Sequence, residues 1–215
     1  GPYVSHVMKA MHEHGADSDT LLPTAQAVFS QLAMTGEIAK MIYQSGALSL
    51  TLRLLAERAT PGSTEDADAF ATQAFETLIR MAKHTELGLT IALAKHAIAT
   101  VITVLEARFD DAAILLLGLK LISILTFDPR AVPLLTKANA LQVVMRVVGR
   151  HPRNEELMVQ CVKTIDFIGN GEPQYARYVK RAGGEQIIKR IMKAYATSSA
   201  IQTAGTRALV SMKGV

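Results

Sequence analysis

The chain contains no tryptophan, one cysteine and only 5% aromatic residues. One cysteine excludes an intramolecular disulfide framework and fits a reducing compartment. With few aromatics and few β-branched runs between turns, a sheet-based core is disfavoured. Long uncharged apolar runs are also missing. The richest, 112–125, is about 14 residues long and contains Lys120, so it reads as a buried helix rather than a membrane span. No secretory or transit signal is present, and the expected location is cytoplasmic, with association to a cytoskeletal or membrane structure left open. The leading Gly1-Pro2 resembles a protease scar, so flanking native sequence is expected.

The usual marks of chemistry are equally scarce. Gly169-Asn170-Gly171 lacks the lysine of a phosphate loop and reads as a helix C-cap turn leading into Pro173. His12-Glu13-His14 has the wrong spacing to put two ligands on one helical face. Ser198-Ser199 is explained as an N-cap. Glu65, Asp66, Asp68, Asp110 and Asp111 fall where helices begin, and acids are favoured at that positive dipole end. Cys161 lies on an apolar helix face and reads as a small buried hydrophobe. No carboxylate pair or nucleophile–base arrangement stands out, so a non-enzymatic protein without cofactor or metal is expected.

Leu, Ala, Met, Lys and Gln dominate the periodic segments, which predicts an all-α chain. Residues 128–170 read as three consecutive helices. Asp128 serves as N-cap with Pro129 at the first helical position, and the first helix runs to about Ala138. Asn139 ends it, because Asn tolerates the left-handed conformation of a sharp exit. The second helix carries Leu141, Val144 and Val148 on one stripe with Val143 and Val147 beside it. After the His151-Pro152 break, the third puts Met158, Cys161, Val162, Ile165 and Ile168 on one face. Three such stripes cannot be buried within one segment, which predicts copies.

Copies are present. Core positions Leu32, Leu78, Ile122, Ile165 and Leu209 recur at spacings of 46, 44, 43 and 44. Junction positions Gly46, His96, Asn139 and Gly183 precede the last four, all of residue types that accept positive φ most readily. Ten residues before each junction stand Gly36, Glu86, Pro129 and Pro173, where a short first helix would start. An insertion falls in the polar loop 60–68, TPGSTEDAD. One domain, 1–215, is expected, with repeats at about 1–34, 35–84, 85–127, 128–171 and 172–215, the first lacking its first helix.

A three-helix repeat of this length, with an acidic-Pro start and a Gly-type turn before the second helix, resembles the armadillo repeat. The matching residues are Asp128-Pro129 with Asn139-Ala140-Leu141, Glu172-Pro173 with Gly183-Gly184, Ser45-Gly46-Ala47-Leu48, and the closing pattern Thr206-Arg207-Ala208-Leu209-Val210. The likeness covers nearly the whole chain, and two-helix HEAT repeats are the close alternative. It implies a right-handed α-solenoid of about five repeats whose third helices line an extended concave groove.

Two positions before the core markers the third helices carry Ser30, Glu76, Lys120, Lys163 and Arg207, and two after them Met34, Arg80, Ile124, Phe167 and Ser211. Lys120, Lys163 and Arg207 form a basic ladder with rungs roughly 8–10 Å apart for normally packed helices. Armadillo readers of basic nuclear-import signals carry Asn in the second row and a nearby Trp, and this chain lacks both. The candidate groove is therefore Lys120, Lys163, Arg207, Arg80, Lys83, Ile124, Phe167, Gln160 and Asn170, suited to an extended segment with acidic and apolar side chains. A second basic group comprises Arg177, Lys180, Arg181, Lys189, Arg190 and Lys193, with Tyr175, Tyr178 and Tyr195 interleaved.

Charge is split along the chain: residues 137–215 hold 13 Lys and Arg against 5 Asp and Glu (net +8), and residues 1–136 hold 10 against 14 (net −4). The leading expectation is a protein-interaction scaffold or adaptor binding a protein or peptide. The alternative is a self-associating structural or docking module in which the acidic half of one copy meets the basic half of another. Docking of the second basic group on membrane or nucleic acid ranks third.

Overall fold

A computed structural model describes residues 2–14, 21–59, 65–94, 96–170 and 172–213. The described residues form fourteen α-helices and no strand. The chain divides into two compact units, Gly1–Arg108 and Phe109–Val215, and the division falls within the third expected repeat.

The N-terminal unit holds α1 (Pro2–His14), α2 (Leu21–Leu32), α3 (Gly36–Gln44), α4 (Ala47–Arg58), α5 (Glu65–Ala82), α6 (Thr85–Leu93) and α7 (Ala97–Ala107). α2 packs along α5, and α4 packs on α5 and α7. Phe29, Phe70 and Phe75, none with any exposure, fill the space among them. The end of α4 is tied to α5 and α7 by Arg108, which is buried. Its guanidinium donates to the Asp68 carboxylate and, at 2.9 Å, to the Arg58 carbonyl.

The C-terminal unit holds α8 (Ala112–Leu125), α9 (Ala131–Lys137), α10 (Ala140–Arg150), α11 (Glu155–Gly169), α12 (Pro173–Arg181), α13 (Gly184–Ala194) and α14 (Ser199–Lys213). α11 is central, packing against α8 on one side and α14 on the other. The stripes expected in α10 and α11 are all buried, Cys161 included. A buried side chain of this size stabilises by about 1.5–3 kcal/mol relative to leaving it in water.

Sharp turns join each short helix to the next. Gly46, His96, Asn139 and Gly183 have φ of 84°, 65°, 58° and 89°, and they are the positive-φ residues of the described chain. Each is the N-cap of the helix that follows. Of the core markers, Leu78, Ile122 and Ile165 are buried, whereas Leu32 and Leu209 are only half-buried. α14 meets α11, α12 and α13, so its far side, with Leu209 and Val210, keeps contact with solvent.

Two boundaries differ from expectation. α9 starts at Ala131, because the Asp128 carboxylate turns back to accept from the Arg130 N–H at 3.0 Å and from its guanidinium at 2.7 and 2.9 Å. This local turn occupies Pro129 and Arg130 before the helix begins. The other is the insertion loop: its residues 60–64 lie outside those described, while Glu65–Asp68 already belong to α5. No single helix among the described residues is long and apolar enough to cross a membrane. Two bent pairs, Glu86–Leu93 with Ala97–Ala107 and Ala131–Lys137 with Ala140–Arg150, reach that length together.

Candidate functional site

Three capped helices carry the ladder. Asp111 starts α8 by accepting from the N–H groups of Ala113 and Ile114 at 2.8 and 3.0 Å. Asn154 starts α11 through the Leu157 N–H at 3.0 Å, and Glu155 and Glu156 sit in its first turn. Ser198 starts α14 through the Ile201 N–H at 3.3 Å.

A polar seam fixes the register of α8 against α11. Gln160 Nε2 donates to Ser123 Oγ at 2.8 Å and to the Leu119 carbonyl at 3.3 Å, and the Ser123 and Thr164 hydroxyls are 2.9 Å apart. Gln160 and Thr164 are buried. Gln160 is therefore removed from the candidate groove, since its amide is consumed inside the interface.

The ladder cations differ in circumstance. The Lys120 ammonium lies 3.3 Å from Glu156 Oε1, an exposed pair. Arg207 places Nε 2.6 Å from Oδ2 of Asp166, while Ser211 donates to Oδ1 at 3.2 Å. Asp166 has no exposure at all. Lys163 is exposed and has no ion pair or hydrogen bond among the described residues. Of the three rungs, one is free and two are already engaged.

Beside Lys163 the face becomes aromatic. Phe167 follows it by one helical turn, with the Arg207 guanidinium 5.1 Å from the ring centre. Phe127, just beyond α8, meets Phe167 edge-on at 5.5 Å and is 70% exposed. Ile124 is half-buried on α8, and Asn170 is exposed at the end of α11. Phe127 and Asp166 are the two residues that sequence reasoning missed.

Arg80 and Lys83 belong to the N-terminal unit. Arg80 Nη1 donates to the Met34 sulfur at 2.9 Å, and Lys83 is exposed beside an open hollow of about 590 Å³ bordered by Lys40, Tyr43, His84 and Leu87. In the second basic group, Arg177, Lys180 and Arg181 on α12 and Lys189, Arg190 and Lys193 on α13 are all exposed. The Lys189 ammonium lies 2.6 Å from Glu185 and holds that carboxyl below its ordinary value. Tyr175, Tyr178 and Tyr195 are half-buried, and the Tyr195 hydroxyl donates to the Pro152 carbonyl at 2.9 Å. The His12 ring donates to the Met8 carbonyl at 3.0 Å within α1.

No protein-family model matches the sequence. Nor does any curated protein. Among solved structures, the crystal structure of an engineered protein from the Northeast Structural Genomics Consortium aligns with a TM-score of 0.81 at 17% identity, over 98% of this chain and 47% of that one. The chain thus spans about half the length of that structure. A second engineered protein from the same consortium gives a TM-score of 0.55 at 15% identity, over 98% of this chain and 96% of that one. At such identities the likeness concerns the fold alone: an all-α chain, compatible with a helical-repeat architecture.

Proposed function

We propose that the chain is an α-solenoid of armadillo-type repeats acting as a non-enzymatic protein-interaction scaffold. In this reading the face formed by α8, α11 and α14 binds an extended partner segment carrying acidic and apolar side chains. The observation that carries it is the juxtaposition of Lys163, an exposed cation without a partner among the described residues, and the Phe127–Phe167 pair one turn away. An exposed aromatic with a cation beside it is the kind of anchor that dominates binding energy at protein interfaces. Lys120 and Arg207 frame this anchor, each already neutralised by a carboxylate.

The test is affinity capture from the source cell, comparing the parent chain with Lys163→Glu and with Phe127→Ala. Both residues are exposed, so neither change should move the helical melt. Partners that depend on this face are lost with either variant, by about tenfold or more in retained protein. Equal capture by parent and both variants overturns the proposal. The charge split favours self-association as the second reading, and light scattering across a salt series decides it: a chain that stays monomeric at low salt and high concentration removes that reading.

A further inference from the structure

A second recess lies in the C-terminal unit, between α10 and α13. Its volume is about 360 Å³, within the range of about 300–1,000 Å³ that ligand pockets occupy. Val148, Met158 and Ile191, all buried, form its floor. Gly149, Pro152 and Ala194 form an exposed lip, so the recess opens along one side. Tyr195 closes one wall and is held there by its hydroxyl on the Pro152 carbonyl. Burial first, and the Glu155 charge second, raise the Tyr195 pKa, so the phenol stays protonated and keeps donating.

Two further features concern what could enter. The lining holds one charged group, Arg190, which is exposed and has no partner among the described residues. Arg153 and Lys193, close in sequence to Pro152 and Ala194, are also exposed and have no partner among the described residues, whereas Arg150 is engaged by Asp110 at 2.6 Å. The second feature is Gly149 itself. It lies within α10 without a positive φ, and a Cβ added there would meet nothing within 4 Å. Packing does not ask for glycine at this position, although glycine weakens a helix. What the glycine does provide is an open lip above an apolar floor.

We infer that this recess receives one large apolar side chain from an acidic partner segment, with a flanking carboxylate of that segment on Arg190. The apolar floor suits an aliphatic or aromatic side chain, and Arg190, the one charged residue of the lining, selects an acidic flank. The open side admits a side chain carried on a peptide backbone that stays outside. The inference does not depend on Lys163, Phe127 or Phe167, none of which lines the recess.

The experiment selects binders from a random peptide library displayed against the full chain and measures the winning peptides by fluorescence anisotropy. The expected peptides carry a large apolar residue flanked by Asp or Glu. Their affinity should fall about tenfold or more with Gly149→Leu, which adds bulk at the open lip of the recess, and with Arg190→Glu. Lys163→Glu should leave it unchanged. The inference is overturned if no acidic-apolar peptide is enriched, or if the selected peptides bind Gly149→Leu as tightly as the parent. Loss of binding with Lys163→Glu alone assigns the peptides to the other face and overturns it as well.

Discussion

Arg207 holds its Nε 2.6 Å from an oxygen of Asp166, a carboxylate with no exposure and 41 residues distant in sequence. The two ends of the pair are not equivalent, since the Arg207 side chain is 54% exposed. Removing the arginine leaves a buried charge with Ser211 as its remaining side-chain donor. Removing the carboxylate leaves a cation that water can solvate. Arg207→Ala should therefore cost about 1–3 kcal/mol in urea denaturation, reduced from a fully buried pair because solvent reaches the guanidinium. Asp166→Asn should cost less, and the double variant no more than Arg207→Ala alone. An arginine variant as stable as the parent would show that the pair does not couple α11 to α14.

The four positive-φ junctions give a second prediction. His96 and Asn139 adopt at 65° and 58° a conformation that Gly46 and Gly183 adopt freely. A left-handed residue with a Cβ costs roughly 1–2 kcal/mol, and Asn recovers part of that locally. His96→Gly should thus raise stability by about 1 kcal/mol and Asn139→Gly by less, with Gly46→Ala lowering it. Thermal melts of the three variants check the order. A destabilised His96→Gly would contradict it.

These junctions were legible in the sequence because a backbone demand narrows the residue choice at each position, and the demand recurs. The buried stripes of α10 and α11 were legible for a similar reason, since helical period alone puts Val144 and Val148, or Met158 and Ile165, on one side. Gln160 was misread as a surface residue. Its partners lie 37 and 41 residues away, and an amide on a helix looks the same whether it faces water or a neighbouring carbonyl. Asp166 was missed on the same account: a carboxylate between Ile165 and Phe167 is explained only by an arginine on another helix. Phe127 lay outside the rows because it follows α8, and only the turn before α9 brings it onto Phe167. Half-burial of Leu32 and Leu209 depends on which helices flank α2 and α14, a property that no local pattern carries.

Two helical glycines should respond in opposite ways to one methyl group. At Gly149 an added Cβ meets open space, and Gly149→Ala should raise stability by about 0.5–1 kcal/mol. At Gly184 the same Cβ would stand 2.5 Å from Val179 Cγ1 and 3.0 Å from the Val179 carbonyl, where α12 turns into α13. Neither the stiff valine nor its backbone can yield cheaply, so Gly184→Ala should cost about 1–3 kcal/mol. Urea midpoints at unchanged slope decide both, and a shared sign would mean that the spacing at one glycine differs from that seen here.

Cys161 provides a reporter of α11 that needs no label design, because it is the sole thiol in the chain. The side chain has no exposure, and burial pushes its pKa up. Both facts suppress reaction: the thiolate is the nucleophile, and a disulfide reagent has no path to it. Raising the pH to about 9 should therefore leave the folded protein unreactive, while the unfolded chain reacts freely near its ordinary thiol pKa of about 8.5. Reaction in native buffer then requires opening of α11. If opening costs the full stability of a typical domain, about 5–15 kcal/mol, labelling should be slowed by at least about a thousandfold against the denatured chain. The measurement is the rate of Ellman's reagent in native buffer and in urea. A slowing below about a hundredfold would mean that α11 opens locally at low cost, and the central place given to this helix in the C-terminal unit would then be wrong.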